Sequence, residues 1–466
     1  MSDDGPDQSG TASLEAVLAA AGERVVPDDD ERAALRDVVW DLRERAEAVV
    51  DGVDCEADVA HVGSTARGTW VSGDRDVDLF VRFPPALPED RLEALGRVVG
   101  QAVLPDGREE YADHPYVTGE YRGYAVDVVP CYRVADPTSI QSPVDRTPFH
   151  DDYLRDRLDD DDRTAVRLAK GFLKGVGVYG SDLRTCGFSG YLTELLVLEY
   201  GGFEGFLTAA GGWQPPVRLD PAGHGDPDAF DDPLVVVDPT DPDRNVAAVV
   251  SETVLARCQH HARAFLDRPG IDYFERTDPD PLGREAVAAH LDRRGTTPLA
   301  VTFDPPDVVD DQLYPQLRRS VSGLTGGLED AGFEVLRGDA FATPLVDGRR
   351  ESAALFVELT VATLPAVERH VGPPVHVGGH AASFFECYDD GDSYGPFVDG
   401  DRYVVERERE VRTAAAFAEQ RLFDVAHGTG VADSLRDGYE VLTDDEVTRL
   451  ADLFGVELAR YFDPTP

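Results

Sequence analysis

Two aspartates spaced i, i+2, Asp76 and Asp78, stand at the head of the apolar run Val77, Leu79, Phe80 and Val81, shortly after the pair Gly63-Ser64. In an extended strand alternate side chains share a face, so both carboxylates project to one side while Val77 and Leu79 enter a core. Adjacent carboxylates repel each other unless a cation lies between them, and hard oxygen donors suit a magnesium-type ion. Magnesium is commonly held by a few carboxylates together with substrate phosphates, and a glycine-serine turn opening a short helix offers backbone N–H groups to such phosphates. Residues 61–83 therefore carry both halves of a nucleotide site. The competing reading, that Asp76 and Asp78 are two acids among many, explains less of the combined spacing.

A third carboxylate comes from further along. Residues 121–132 alternate, with Tyr124, Val126 and Val128 on one face and Ala125, Asp127 and Val129 on the other. A lone charge in an apolar strand is costly to bury unless it is paired or metal-bound, which makes Asp127 the natural third ligand; an edge-strand acid facing solvent is the alternative. The elements that must position these groups are a helix over 28–50, capped by the acidic run at Asp28, a strand over 79–83 and a helix over 89–103. Strands follow over 111–116 and 121–132, with a turn around Thr118-Gly119. Residues 1–27 read as polar, with a short apolar patch at 14–21, and include a loosely held start.

Residues 163–175 form a helical pattern that carries Lys170 and Lys174 as i, i+4 neighbours. An ammonium there can meet a phosphate as a point charge, or the two can be a surface pair. An apolar helix over 189–200 belongs to a core, 213–232 reads as a loop, and 234–237 as a short strand. The acids at 159–162 read as a solvated surface. Beyond an Asp/Pro-rich boundary near 278–281 come a strand (299–303), a helix (310–331), strands at 333–337 and 354–363, and a closing Pro/Gly stretch at 372–379. A strand at 403–406 and helices near 411–423 and 444–461 complete the chain.

The 466 residues allow two to four domains, and the formal charge is −46 from 90 acidic and 44 basic residues. Only two of the basic residues are lysines, leaving 44 − 2 = 42 arginines. Such a surface suits molar salt, where repulsion is screened within about 3 Å. In that medium net charge does not exclude RNA as a partner, because binding leans on shape, stacking and local arginine clusters. The five cysteines are far apart, with no C-x-x-C, and read as reduced thiols. No apolar run approaches 18 residues, so the sequence predicts a cytoplasmic protein with no membrane span.

The Gly-Ser turn, the D-x-D pair and the later single Asp resemble the polymerase-beta nucleotidyltransferase superfamily. Together with Lys170-Gly171-Phe172-Leu173-Lys174 and residues 184–195 they resemble the archaeal class I CCA-adding enzymes, in a haloarchaeal version, over essentially the whole chain. That resemblance implies an α+β multidomain protein with four parts. They are a nucleotidyltransferase head with a mixed sheet (1–149), a largely helical central domain (150–279), a small RNA-recognition-like α+β tail module (280–379) and a mixed C-terminal body (380–466). It implies Asp76, Asp78 and Asp127 as catalytic metal ligands for Mg2+, and Ser64, Arg67, His150, Lys170 and Tyr179 as nucleotide contacts. Residues 238–247 resemble the segment near the nucleotide base, which makes Arg244 the candidate base reader; a helix-capping turn is the equal alternative. The implied substrates are CTP, ATP and tRNA, gripped at its 3′ end and upper half, with two-metal addition of C, C and A and no template; a homodimer is left open. A poly(A) polymerase, an oligoadenylate synthetase or a silent RNA-binding protein on this scaffold are the rivals. The family often has Glu where Asp76 stands and a basic residue where Cys186 stands.

The charge makes a direct prediction. Folding and activity should require high KCl, and thermal unfolding followed by circular dichroism should show a large loss of stability at about 0.1 M salt, where the Debye length grows to roughly 10 Å. Equal stability at both salt concentrations would contradict this.

Overall fold

The computed structural model describes residues 13–111 and 114–466. They form two compact units, one reaching to Thr277 and including Pro466, the other Asp278–Thr465.

In the first unit the apolar patch at 14–21 lies on a helix, α1 (Leu14–Val25), capped by Ser13. Its Val17, Ala21 and Val25, spaced one turn apart, enter the core of the helical part of the unit; the expectation for residues 1–12 lies outside the described residues. Helix α2 (Asp29–Val50) starts at Asp28, whose carboxylate and Glu31 form a capping box. Then come β1 (Asp58–Val62), α3 (Gly63–Arg67), β2 (Asp76–Phe83), α4 (Glu89–Val103), β3 (Arg108–Tyr111), β4 (Pro115–Tyr121) and β5 (Tyr124–Tyr132). The sheet order is β1-β2-β5-β4-β3, and only the β2/β5 pair is parallel. A parallel pair needs a crossover, which α4 supplies. Leu42, Leu92 and Val99 from α2 and α4 pack on Val77, Leu79, Val126 and Val128, so one face of the sheet is closed.

The turn expected at Thr118-Gly119 lies instead at Arg122-Gly123, both with positive φ, between β4 and β5. Gly119 is mid-strand for a packing reason: a Cβ there would lie 3.2 Å from the Gly107 Cα. Of the strand expected over 111–116, residues 112 and 113 lie outside the described residues; Tyr111 ends β3 and Pro115 begins β4.

The remainder of this unit contains α5 (Thr147–Arg155), α6 (Asp160–Gly175), α7 (Gly190–Glu199), α8 (Phe203–Gly212), β6 (Val217–Leu219), β7 (Leu234–Asp238), β8 (Asp241–Asn245) and α9 (Glu252–Asp267). The acids at 159–162 have a local task, since Asp159 and Asp162 form the capping box of α6. Residues 213–232, expected as loop, include β6, which pairs in parallel with β7. Phe172, Phe203 and Phe265 meet edge to face in the core, 5.6 to 6.0 Å apart.

The second unit holds α10 (Arg284–Arg294), β9 (Thr297–Phe303), α11 (Asp310–Asp330), β10 (Glu334–Ala342), β11 (Ala353–Val361), β12 (Val367–Pro374), α12 (Gly378–Tyr388), β13 (Tyr394–Asp399), β14 (Arg402–Glu408), α13 (Ala414–Arg421), α14 (Thr429–Asp437), β15 (Tyr439–Thr443) and α15 (Ala451–Phe462). An antiparallel sheet of order β10-β11-β9-β15 is covered on both faces. Leu355 and Val357 of β11 join Leu317 and Leu324 of α11, while Ala354 and Phe356 point to Leu291, Phe454 and Leu458. The stretch read as a closing Pro/Gly segment begins inside a strand, since β12 runs to Pro374 and joins a separate sheet of order β12-β14-β13, and it ends on the first turn of α12. Among the described residues no helix is long and apolar enough to cross a membrane, and all five cysteines are outside disulfides.

The α4/β4 contact yields a test in which two effects oppose each other. Alanine at Gly100 gains up to about 1 kcal/mol of helix propensity, but its Cβ would lie 2.5 Å from Val117 Cγ2. Overpacking of that kind costs about 1–3 kcal/mol, so Gly100→Ala should lower the thermal midpoint; an unchanged or raised midpoint would show that α4 can move off the sheet.

Candidate functional site

The parallel register sets Asp78 directly beside Asp127 and Asp76 beside Ala125. Parallel neighbours are about 4.8 Å apart, so two carboxylates face each other across the strand pair, on the side opposite the α2/α4 core, with Asp76 two residues away. Burial raises the Asp78 carboxyl to about 7, helped by the charges of Asp127 and Asp76 and opposed by Arg67. Burial also raises Asp76, with Asp74 adding to it, and Asp127, where a hydrogen bond from Thr118 pulls the other way. A hard-oxygen donor set whose negative charges crowd one another in this way fits a divalent cation.

Gly63 is required beside this cluster. Its φ of +84° belongs to the left-handed region, and a Cβ would lie 2.3 Å from Asp78 Oδ2. The Gly63 N–H, expected to be open to phosphate, donates to Asp151 Oδ1 at 3.1 Å. Ser64 follows on α3, half-buried.

One face of α6 holds the segment after α3. Arg163 donates to the Arg67 carbonyl at 3.0 Å, Arg167 to the carbonyls of Gly68 and of Trp70, and Lys170 to the Thr69 carbonyl at 3.1 Å. Lys174 pairs with Asp74 at 2.6 Å. The stripe 163, 167, 170, 174 is the helical repeat of one face. Lys170 is 1% exposed, so it is not half of a surface pair. Its three N–H donors meet three acceptors: the Thr69 carbonyl, Thr69 Oγ1 and Glu194 Oε1. Arg67, also buried, bonds Asp151 and Glu194. Burial alone would raise the Glu194 carboxyl, but Lys170, Arg67 and a hydrogen bond from Thr69 outweigh it and hold it below the usual carboxylate range. Tyr179 converges on the same place, since a Cβ at Gly190 would lie 3.0 Å from its hydroxyl and 3.6 Å from the Lys170 ammonium. Burial raises the Tyr179 phenol, which keeps the hydroxyl protonated.

His150 and Arg244 meet at a different centre, the buried Asp238. His150 Nε2 lies 2.8 Å and an Arg244 nitrogen 2.7 Å from Asp238 Oδ2, while the Thr240 backbone and hydroxyl donate to Oδ1. Tyr191 stacks on His150 with centroids 4.0 Å apart. Burial holds the His150 imidazole below its ordinary value, so it is a neutral donor to an ionised Asp238. Arg244 sits on β8 and not in a helix cap; α9 is capped by Ser251. Cys186 lies in a tight loop with φ +51°, its carbonyl accepting from the Ser251 N–H at 3.0 Å.

Sequence reasoning passed over Asp151, Glu194 and Asp238. Glu194 gave a usable signal, because it interrupts the apolar run of α7 just as Asp127 interrupts β5. Asp151 and Asp238 sit among many acids and gave none.

Family models match three stretches: "Nucleotidyltransferase domain" over residues 42–150, "tRNA nucleotidyltransferase, second domain" over 164–275, and "CCA-adding enzyme, C-terminal domain" over 294–444. A CCA-adding enzyme of Haloarcula marismortui is 56% identical over 97% of this chain and 99% of its own length. One of Halobacterium salinarum is 58% identical over 96% and 98% respectively. A methanogen relative, the CCA-adding enzyme of Methanosarcina barkeri, is 38% identical over 92% and 94%.

Burial of the Asp78 carboxylate, together with the charges of Asp127 and Asp76, predicts a gain in stability from removing its charge. Because the fold raises Asp78 from near 3.9 to about 7, its contribution favours the fold below the lower value and is lost as the pH rises through the upper one. Asp78→Asn in metal-free protein should therefore be the more stable chain at pH 8, by up to about 4 kcal/mol, with the advantage shrinking as the pH falls from 7 toward 5. Calorimetry in chelator at several pH values checks this; an advantage that does not vary with pH would mean that Asp78 is not held against its charge.

Proposed function

The chain belongs to the CCA-adding enzyme family, and from that premise we propose that Asp76, Asp78 and Asp127 are the catalytic metal ligands of this nucleotidyltransferase, which extends the 3′ end of tRNA without a template. The observation that carries the assignment is the register of Asp78 against Asp127, with Gly63 leaving room for the Asp78 carboxylate.

Enzymes of the polymerase-beta type use divalent metal ions, and Mg2+ is the ion we propose for this all-carboxylate set. Bound there, it would supply Lewis-acid stabilisation of the triphosphate and activation of the attacking hydroxyl. The protein's own part is orientation and charge. Ser64 and the protonated Tyr179 hydroxyl are proposed to hold the triphosphate. Arg67 and Lys170, whose donors are engaged by Asp151, Glu194 and Thr69, fix α3 and the segment after it, from which the nucleotide is held. His150 and Arg244, gathered by Asp238, are proposed as the nucleotide's second contact, with Arg244 reading the base of CTP or ATP.

We assign residues 1–149 to the head and 150–279 to the central nucleotide-binding domain; 280–379 and 380–466, expected as a separate tail module and body, share two sheets through the β9/β15 and β12/β14 pairs, so we assign them together to the part that takes the upper half of tRNA. We infer a cytoplasmic location from the tRNA substrate.

The test supplies a tRNA lacking its 3′ end with Mg2+, CTP and ATP in high KCl and resolves products at single-nucleotide length. Growth by C, C and A, then arrest, is expected; a long ladder from ATP alone would overturn the specificity. Asp78→Ala and Asp127→Ala should reduce incorporation by at least about a thousandfold, about 4 kcal/mol of transition-state stabilisation, with tRNA binding nearly unchanged. Near-normal incorporation by either variant would overturn the metal assignment.

A further inference from the structure

On the helix-covered face of the head sheet, Glu89 and Glu93, one turn apart at the start of α4, meet His114, which directly precedes β4. One ligand atom from each residue lies within 4.8 Å of the other two. His114 is 4% exposed, and neither of its ring nitrogens hydrogen-bonds to any described residue. Its Nδ1 is 3.7 Å from Glu89 Oε1, too far for a hydrogen bond. A buried imidazole needs a partner for at least one nitrogen, and this one is aimed at two carboxylates.

We propose that Glu89, Glu93 and His114 form a second metal site, for a zinc-type divalent ion, separate from Asp76, Asp78 and Asp127. The donor set decides the class of ion. Imidazole suits zinc and its late first-row neighbours, whereas magnesium takes oxygen donors. Zinc ligands lie about 2.0–2.2 Å from the metal, so two donors on one ion are at most about 4.4 Å apart. Donors within 4.8 Å of one another close onto one ion by side-chain rotation, and Glu89, with 69% of its side chain exposed, is free to make it. Glu93 has only a long 3.6 Å approach from Arg97, whose guanidinium hydrogen-bonds Glu109 at 3.0 Å. The negative potential reaches the buried Tyr132 ring, which meets His114 edge to face at 6.1 Å: burial raises its phenol, with Glu89 foremost among the acids that add to it. A bound ion would pin the start of α4 to the start of β4, a clasp on the crossover that makes β2 and β5 parallel.

The test uses the full-length untagged protein in high KCl with excess Mg2+ to fill the hard-oxygen site. It is equilibrated with micromolar Zn2+, desalted and analysed for metal by atomic emission; Co2+ substitution reports coordination by visible absorption. One Zn2+ per chain is expected, lost in His114→Gln and held at least about tenfold more weakly in Glu93→Gln. Glu93 is half-buried, and an amide of the same size is a mild enough change to keep the fold, which circular dichroism checks. Asp78→Asn should retain the ion. No zinc above background, equal retention by Glu93→Gln and the parent, or loss of zinc in Asp78→Asn would each overturn the proposal.

Discussion

A row of cations along one face of α6 grips the segment that follows α3, and the geometry of the head depends on it. Four donors from Arg163, Arg167 and Lys170 satisfy the last carbonyl of α3 and those of the three residues after it. Buried charges of this kind add little net stability when complete, but removing one partner costs about 3–5 kcal/mol because the other is left uncompensated. The network is therefore a device for position. It fixes where α3 ends, and through Arg67 and Asp151, which accepts from the Gly63 N–H, also where it begins, at the Gly63 that is packed against Asp78.

The opposing constraint is repulsion. Three carboxylates on one side of two parallel strands are held together by the sheet and against their own charge; burial first, and the charges of Asp127 and Asp76 after it, raise the Asp78 carboxyl. Attraction among Arg67, Lys170, Asp151 and Glu194 lies next to repulsion among Asp76, Asp78 and Asp127. The first is neutralised within the protein; the second is left for a divalent cation to neutralise, and a cation held there can in turn meet the negative charge that a triphosphate brings and develops in the transition state.

The fold class and most elements of the head were legible because their signals are local. Alternation at 76–81 and 124–129 put the aspartates on the face away from the core, and the Asp28 cap and the 89–103 periodicity marked α2 and α4. The misplaced turn came from treating Gly119 as a bend when its role is close packing against Gly107, a contact that no local pattern encodes. β15 escaped for the same reason: it pairs with β9 across more than a hundred residues. The acceptors Asp151 and Asp238 were hidden by composition, since an acid among 90 acids carries little information until its partners are known.

The scarcity of lysine has a chemical consequence of its own. Lys170 is sealed inside, and Lys174, with 36% of its side chain exposed, is tied to Asp74. Reagents and enzymes that acylate lysine amines therefore meet a surface of guanidinium groups that do not react, with one partly open ammonium whose modification would break the last link of the α6 row. Control of this protein by lysine acetylation would have to act through that single residue, and its surface is closed to the rest of that chemistry.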